Sequence, residues 1–219
     1  MNTGDTAFMM ICAALVFFMT PGLAFFYGGL VRRKNVCNTI MACVAIMGLS
    51  VVMWTLFGYS LSFGGNHAGI IGDFRWFGLN GVGMEAGPYA DSIPHLVFCA
   101  FQMMFAMITP ALITGSLVGR MKFKALFLFV AIWSVIVYYP MTHMVWGDGG
   151  FLAAIGSVDF AGGDVVHISS GISALVLAII LGRRRGYEHT TYRIHNIPSV
   201  VLGASLLWFG WFGFNAGSA

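Results

Sequence analysis

Charged residues are scarce in this sequence. Asp, Glu, Lys and Arg make up 9% of its 219 positions, whereas hydrophobic residues make up 58%. A soluble globular domain carries about 25% charged residues, so that class of protein is excluded. Apolar runs of roughly twenty residues recur instead, and each is long enough to cross a hydrocarbon core about 30 Å thick. The sequence therefore predicts an all-α polytopic membrane protein.

Cysteine pairs and metal-ligand spacings are also missing. Cys12, Cys43 and Cys99 fall in apolar runs, Cys37 follows a short basic segment, and no CxxC spacing occurs. No HxxxH or HxxE pattern lies on a predicted helix, whereas a zinc site needs three or four convergent ligands. The sequence "GASLL" (203–207) lacks the last glycine of the G-x-S-x-G serine motif. We therefore expect packing cysteines, no metal or cofactor, no enzyme activity and no nucleic-acid partner.

The apolar runs divide the chain into six predicted membrane spans. They cover residues 8–30, 39–63, 95–118, 123–146, 165–182 and 197–217, and we interpret 1–219 as a single transmembrane domain. The second and third spans are separated by residues 64–94, which are rich in glycine and contain two prolines. Such turn chemistry predicts a loop that folds over the mouth of the bundle.

The few charges are distributed unevenly between the two ends of the predicted bundle. Ten of the eleven Lys and Arg residues lie in three short loops, 32–34, 120–124 and 183–193, and Arg75 is the exception. Seven of the eight acidic residues lie in the alternate segments. Because cytoplasmic loops of membrane proteins are enriched in basic residues, this pattern predicts that the three basic loops are cytoplasmic and the N-terminus is outside. No basic segment precedes the first span, which favours a membrane anchor over a signal peptide in the plasma (inner) membrane.

The start of the fifth span combines polar residues with a short apolar run. In "VDFAGGDVVHISSG" (158–171), fifteen residue steps separate His167 from Gly182, which is about 22 Å of helix. We therefore expect His167 to lie below the outer membrane surface and Asp159 to Asp164 to form irregular backbone at membrane depth. Such backbone must be wrapped in protein or line a wet cavity, although either aspartate could also cap the helix.

Two histidines fall within predicted spans. An ionisable residue inside a span marks a pathway, a relay or a partnered core group. The neighbours of His167 on its helix face, Ser170, Gly171 and Ala174, are small and leave room beside the ring, which favours a pore-lining role. Burial there favours the uncharged imidazole. For His143, in "YYPMTHMVW", a pore role and a structural role remain equally open.

Several aromatic residues lie where they could contact a cation. Phe101 and Phe105 share a helix face, as do Phe214 and Ser218, because each pair is four residues apart. Trp146 ends the fourth span near the outer surface. Most aromatic residues of a membrane protein serve in core packing or in an interfacial belt. A minority at the mouth could hold a cation over their ring faces, each contributing about 0.5–2 kcal/mol.

Four stretches of the chain resemble a known family. They are "PGLAFFYGGLVRRKN" (21–35), "HMVWGDGGFL" (143–152), "DFAGGDVVHISSG" (159–171) and "HNIPSVVLGASLLWFGWFGFNAGSA" (195–219), which are similar to the ammonium transporter family, Amt/Mep/Rh. The resemblance implies eleven spans, an external N-terminus, two inverted five-helix repeats and a homotrimer. This sequence would be the N-terminal part, with the first repeat and the sixth span; the later spans and a second pore histidine are not in it.

The resemblance also implies roles for individual residues. Phe105, Trp146 and Ser218 match the external ammonium recruitment site, and Phe101 matches its neighbour in a paired-phenylalanine motif. Phe105 and Phe214 match the two rings of a gate. Below the gate, His167 matches the first of two pore histidines, while Asp159 matches the acidic residue that orders the mouth. Position 164, often Thr or Ser in relatives, is Asp here and could add charge or cap the helix.

These correspondences predict transport of ammonium, with methylammonium as an analogue. Recruitment outside, deprotonation near the gate and passage of ammonia along a histidine-lined hydrophobic pore form the expected mechanism. The alternative is an ammonium-sensing membrane module coupled to a signalling domain. Membrane lipid and a cytoplasmic regulator of the PII type are the other partners that the resemblance implies.

Overall fold

The computed structural model describes residues 1–184, 186–189, 191 and 193–219. Three residues of the predicted third basic loop, Arg185, Thr190 and Tyr192, lie outside the described residues. Within the described part, six helical segments are long and apolar enough to cross a membrane: Thr3–Leu30, Arg33–Phe63, His95–Leu117, Phe123–Ala154, Gly163–Leu181 and Ile197–Ala216. The prediction of a polytopic helical bundle is confirmed.

The segments are assembled from shorter helices and single π-helical turns. In chain order the α-helices of the described residues are α1 (Thr3–Leu30), α2 (Val36–Met53), α3 (Tyr59–Phe63), α4 (His95–Leu117), α5 (Phe123–Trp133), α6 (Tyr139–Trp146), α7 (Phe151–Ala154), α8 (Ser169–Leu181) and α9 (Ile197–Ala216). π-helical turns at Trp54–Gly58, Ser134–Tyr138 and Gly163–Ile168 join α2 to α3, join α5 to α6 and precede α8. Turns of this kind shift the register of a helix and occur often at functional sites.

Polar side chains explain two of the helix starts. The first helix begins five residues before the predicted boundary because the Asn2 side chain accepts hydrogen bonds from the backbone N–H groups of Gly4, at 2.8 Å, and Asp5, at 3.3 Å. The last helix begins at Ile197 as predicted, where the Asn196 side chain accepts from Ser199 N at 3.1 Å. A side-chain cap therefore sets both starts.

Glycines allow α1 and α9 to pack closely along their length. A Cβ atom added at Gly213 would lie 2.6 Å from Cβ of Leu15, and one added at Gly22 would lie 2.9 Å from Cβ of Leu206. Because lipid tails solvate apolar side chains well, membrane helices associate mainly through such close van der Waals contact. The first and sixth spans thus form a tightly packed pair that supports the rest of the bundle.

The loops meet one another at two opposite ends of the bundle. At the basic end, His195 N donates to Val31 O at 3.1 Å, and Arg120 Nη1 donates to Gly182 O at 2.8 Å. At the acidic end, Asn2 N donates to Ser92 O at 2.6 Å. Successive loops therefore alternate between the ends, in the order that the charge pattern predicts. That the basic end is cytoplasmic stays a prediction.

The long loop at the acidic end, residues 64–94, is folded. It contains a short 3₁₀ turn, Phe77–Leu79, and an antiparallel pair of strands, β1 (Ala86–Gly87) and β2 (Ala90–Pro94). Nε of Arg75 lies 3.1 Å from a carboxylate oxygen of Asp73 and its guanidinium covers the Trp76 ring at 5.7 Å. The side chains of this loop consequently have defined positions above the helices.

Candidate functional site

Four aromatic side chains and one histidine form a row through the bundle. The Phe105 ring lies 5.0 Å from Phe101, 5.8 Å from Trp146 and 4.4 Å from Phe214, measured between ring centroids. On the far side of Phe214, the ring of His167 lies at 6.1 Å. Phe105 is 0% exposed and Phe214 is 2% exposed. The structure thus brings the predicted recruitment, gate and pore residues together in that order.

The row is positioned by α4 and by the end of α9. Phe101 and Phe105 stand one turn apart on α4, which is buried over most of its length. Phe101 packs directly on the backbone of Gly217, because a Cβ atom there would lie 2.5 Å from the Phe101 ring. Next to it, Ser218 Oγ donates to Phe214 O at 2.9 Å, so its oxygen remains available as an acceptor.

Asp159 organises the start of the fifth span. Its carboxylate accepts four backbone hydrogen bonds, from the N–H groups of Gly162, Gly163, Asp164 and Val165, at 2.5 to 2.9 Å. These are donors that a helix start leaves unsatisfied, and a carboxylate also favours the positive end of the helix dipole. The expectation of irregular backbone through residue 164 is wrong, since the helix already begins at Gly163.

The second aspartate of this segment has a different partner. Asp164 Oδ2 accepts from the hydroxyl of Ser157 at 2.6 Å, so Asp159 rather than Asp164 is the helix cap. The backbone of Asp159 is also tied to the row of rings, because Trp146 Nε1 donates to its carbonyl oxygen at 2.9 Å. One residue thereby orients both the fifth helix and the tryptophan.

The ring of His167 is oriented by one hydrogen bond, to the backbone carbonyl of Gly162. Its Nδ1 lies 2.9 Å from Gly162 O, and since a carbonyl only accepts, Nδ1 donates and Nε2 carries the lone pair in the neutral ring. The ring stacks on Trp211 at 5.5 Å and 27°. Among the described residues the side chain of His167 is exposed, on the face shared by α8 and α9. Trp211 is itself 41% exposed.

Two cavities lie on either side of the buried ring pair. The outer cavity, of about 680 Å³, is lined by Phe101, Trp146 and Ser218 together with Asp159 and Phe160. A second cavity, of about 540 Å³, extends from His167 to the basic end, where it reaches the loop arginines. Its lining includes the small residues that the sequence placed beside the histidine, Ser170, Gly171 and Ala174. Phe105 lines neither cavity and stands between them.

An open groove connects the two sides along the exposed face. It has a volume of about 310 Å³ and runs from Asp159 past Phe214 to His167 and Trp211. The row of aromatic rings and His167 is therefore open to the outside on one side in the described residues. A closed conduit needs further protein on this face.

His143 has a different environment from His167. It is 0% exposed, with Nδ1 donating to Ser62 O at 3.0 Å and Nε2 facing Asn66 Oδ1 at 3.4 Å. These contacts attach α6 to the end of α3 and to the long loop. The question left open by the sequence is answered in favour of a structural role.

Tyr89 and Gln102 are among the lining residues of the outer cavity that were not predicted from the sequence. Tyr89 comes from the long loop; its hydroxyl donates to Phe63 O at 2.8 Å and accepts from Asp148 N at 3.2 Å. Burial raises the pKa of Tyr89, so the hydroxyl stays protonated. Gln102 directly follows Phe101 in the sequence, and this position was the one feature that could have predicted its place in the cavity lining.

No group of three or more His, Cys, Asp or Glu side chains that could hold a metal ion occurs among the described residues. The four cysteines are unpaired thiols, three of them buried. The outer cavity itself is lined by aromatic rings, hydroxyl and amide groups and the carboxylates of Asp5 and Asp159.

Comparison with known proteins identifies the family. The model of the Ammonium Transporter Family matches residues 7–219. The chain belongs to the ammonium transporter family. It is 51% identical over 219 residues to the ammonium transporter of Bacillus subtilis, covering 100% of this chain and 53% of that protein.

Solved structures of family members show the same fold. Mep2 of Saccharomyces cerevisiae matches with a TM-score of 0.90 and 35% identity, covering 100% of this chain and 50% of that one. A structure described as a sensor Amt protein matches with a TM-score of 0.86 and 31% identity, over 98% of this chain and 54% of the other. The chain thus spans about half the length of the relatives it matches, and it corresponds to the N-terminal part of this family of multi-pass membrane proteins.

Proposed function

We propose that the protein containing this chain transports ammonium nitrogen across the membrane, by recruiting the cation outside and passing neutral ammonia inward. Membership of the ammonium transporter family supports this proposal. The observation that carries it is the Phe105–Phe214 ring pair, buried between an outer cavity lined by Trp146 and Ser218 and an inner cavity that begins at His167.

Selectivity is the first physical problem for such a protein. Ammonium and potassium have equal charge and similar size, so a ring of carbonyl groups would separate them poorly. Ammonium differs because it donates directed hydrogen bonds and can lose a proton. In the outer cavity the face of Trp146 would offset part of its dehydration, with the buried Phe105 ring directly behind it, and Ser218 Oγ would accept one of its N–H bonds.

The ring pair is the second element of the mechanism. A bare cation within an apolar passage costs several kcal/mol. Neutral ammonia costs far less, and it needs only one polar partner beyond the gate. His167 Nε2, an acceptor in the neutral ring whose Nδ1 is already used by Gly162 O, provides that partner. The proton is therefore released near the Phe105–Phe214 pair.

The proposal is tested by flux into proteoliposomes that contain the whole protein. Ammonium should enter faster than into empty vesicles, while potassium should not. His167→Ala should strongly reduce ammonium and methylammonium flux, whereas His189→Ala, an exposed histidine of a basic loop, should leave it unchanged. Unchanged flux in His167→Ala would refute the pore role of this residue, and absence of flux in the unaltered protein would refute transport.

Sensing is the second candidate, because the chain matches the structure described as a sensor Amt protein. A sensor would need the same outer cavity to bind ammonium. Saturable ammonium binding without flux in the proteoliposome experiment would favour sensing over transport. We include in the proposal a homotrimer, a cytoplasmic PII-type regulator, and a plasma (inner) membrane location with the acidic end outside.

A further inference from the structure

The two cavities on either side of the buried ring pair are lined by charges of opposite sign. Asp5 and Asp159 line the outer cavity, where no Lys or Arg occurs among the described lining residues. Arg32 and Arg184 line the inner cavity, where none of the described lining residues is acidic. A cation therefore meets opposite charge in the outer cavity and like charge in the inner one.

The two arginines belong to the wall of the inner cavity rather than to the open surface. Arg184 Nη1 donates to Val118 O at 2.6 Å, and Val118 is itself a lining residue. Both arginines are half-buried. Partly buried charges are screened by salt less than exposed ones, and a cleft lined by one sign of charge between low-dielectric walls concentrates the field. Arg32 and Arg184 should therefore act on the cavity more strongly than the exposed charges of the same loops.

Acidic residues of the basic loops do not cancel this charge. The three loops contain ten Lys and Arg residues and a single acidic residue, Glu188. Its Oε1 lies 2.8 Å from Nη1 of Arg183, and the two side chains are 65% and 80% exposed, respectively. The surroundings of the inner cavity consequently keep a strongly positive charge.

We propose that Arg32 and Arg184 form a cation barrier in the inner cavity, which disfavours ammonium there and lets neutral ammonia pass. This inference rests on the proposed function and specifies the species that fills the cavity below the gate. Ammonia has no net charge, so repulsion by the guanidinium groups acts on ammonium alone. Because His167 lines the same cavity, the barrier also keeps ammonium of the inner side away from its ring.

The preference for basic residues in cytoplasmic loops is the simpler explanation of these charges. It depends on the number of basic residues in a loop and not on which of them line a cavity. The barrier requires instead that the two lining arginines matter more than their exposed neighbours. The two explanations are therefore separable by substitution.

A thiol placed in the inner cavity measures the charge there without any transport. Ala174 is a half-buried lining residue, and Ala174→Cys is introduced into the whole protein after its exposed native thiols, Cys37 among them, are replaced by serine. The rates of modification by a cationic and an anionic methanethiosulfonate reagent are compared in a non-ionic detergent, because their ratio cancels differences in thiolate fraction. Replacing both Arg32 and Arg184 by glutamine should shift this ratio about tenfold towards the cationic reagent.

Arg33→Gln combined with Lys34→Gln is the matched control, since it removes the same charge from exposed positions that do not line the cavity. Its ratio should shift less than about twofold. Equal shifts in the two double variants would overturn the barrier. If the arginine variant fails to fold, salt provides the test in Ala174→Cys alone: between about 20 mM and 1 M NaCl the ratio should approach that of free cysteine. A ratio that equals that of free cysteine at both salt concentrations would overturn the proposal.

The effect on transport is measured in right-side-out membrane vesicles that contain the whole protein, with equal pH on both sides. Ammonium loaded inside should inhibit the uptake of labelled methylammonium at an about threefold lower concentration in the double arginine variant, because one positive charge experiences half of the logarithmic difference between the two reagents. The KM for external ammonium should stay the same. Unchanged inhibition from inside would overturn the barrier. Absence of uptake by the unaltered protein would refute the proposed function itself, whereas the thiol ratios would still report the charge of the cavity.

Discussion

His143 and His167 are both histidines within membrane helices, yet their surroundings differ. His143 is enclosed, and its two ring nitrogens face Ser62 O and Asn66 Oδ1. His167 has one backbone partner, Gly162 O, and its other nitrogen faces a cavity and an open groove. In the first case the ring is enclosed and Nδ1 donates to Ser62 O inside the bundle. In the second, one nitrogen is left available for a ligand.

Among the substitutions considered, the largest loss of stability should come from Asp159, which holds the start of the fifth helix and thereby His167 in place. Asp159→Ala removes the acceptor of four backbone N–H groups, including that of Gly162, whose carbonyl orients the His167 ring. We expect a loss of at least about 2 kcal/mol, since two of the four donors belong to buried residues, Gly162 and Val165, and each buried donor left unsatisfied costs roughly 1–3 kcal/mol. Thermal unfolding of the purified whole protein in detergent measures this.

Asp164→Asn is the matched control for that experiment. Asp164 accepts a single hydrogen bond, from Ser157, which an asparagine side chain can retain. Its melting temperature should remain close to that of the unaltered protein. Equal destabilisation by the two substitutions would show that the charge of the segment, rather than the capping by Asp159, stabilises the fifth helix.

The two histidines themselves should respond in opposite ways to substitution. His143→Leu leaves Ser62 O without its partner inside the bundle, and we expect a loss of about 2 kcal/mol. His167→Leu removes a single hydrogen bond on an exposed face, so the loss should stay below about 1 kcal/mol, while ammonium flux falls strongly. The comparison would be broken by an equal loss of stability in both variants, or by normal flux in His167→Leu.

The sequence could predict the parts of this structure that depend on local pattern. Long apolar runs predicted the six membrane helices, and the alternation of basic and acidic loops predicted which loops meet at each end. The predicted start of the sixth span, residue 197, is where the last helix begins, behind the Asn196 cap. Each of these features is determined by hydrophobicity, charge or side-chain chemistry within a few residues along the chain.

Features that depend on tertiary packing were not predictable in this way. The π-helical turn at Gly163–Ile168 forms where the Asp159 carboxylate collects four N–H groups, and nothing in the segment alone shows that number. The assignment of His143 required its contact with Asn66, which is 77 positions away in the chain. The length of the fifth span likewise does not determine which of its faces is covered, and among the described residues His167 lies on an exposed face.

The smallest expected effect is the response of the long loop to low pH. This loop contacts His143 through Asn66 but does not contact His167. Burial alone would raise the pKa of Asp73, but hydrogen bonds from the backbone of Arg75 and Gly65 and from the Arg75 side chain outweigh it, so the pKa lies below its ordinary value of 3.8. Because the folded-state pKa is the lower one, the stabilisation is present above about pH 3.8 and is lost as the pH falls through the folded-state value.

Loss of this interaction should loosen the loop next to Asn66, and hence the His143 side of the bundle, while leaving His167 unaffected. Hydrogen exchange of residues 64–76, measured in the whole protein at pH 5 and pH 3, should show protection that falls at the lower pH beyond the intrinsic change in exchange rate. In Asp73→Asn the loop should be less protected at pH 5 and show little further loss at pH 3, since the titrating group is gone. The same pH dependence in both proteins would mean that another group controls the loop. A loss of protection that extended to residues 163–168 would show that the two histidines share one structural unit.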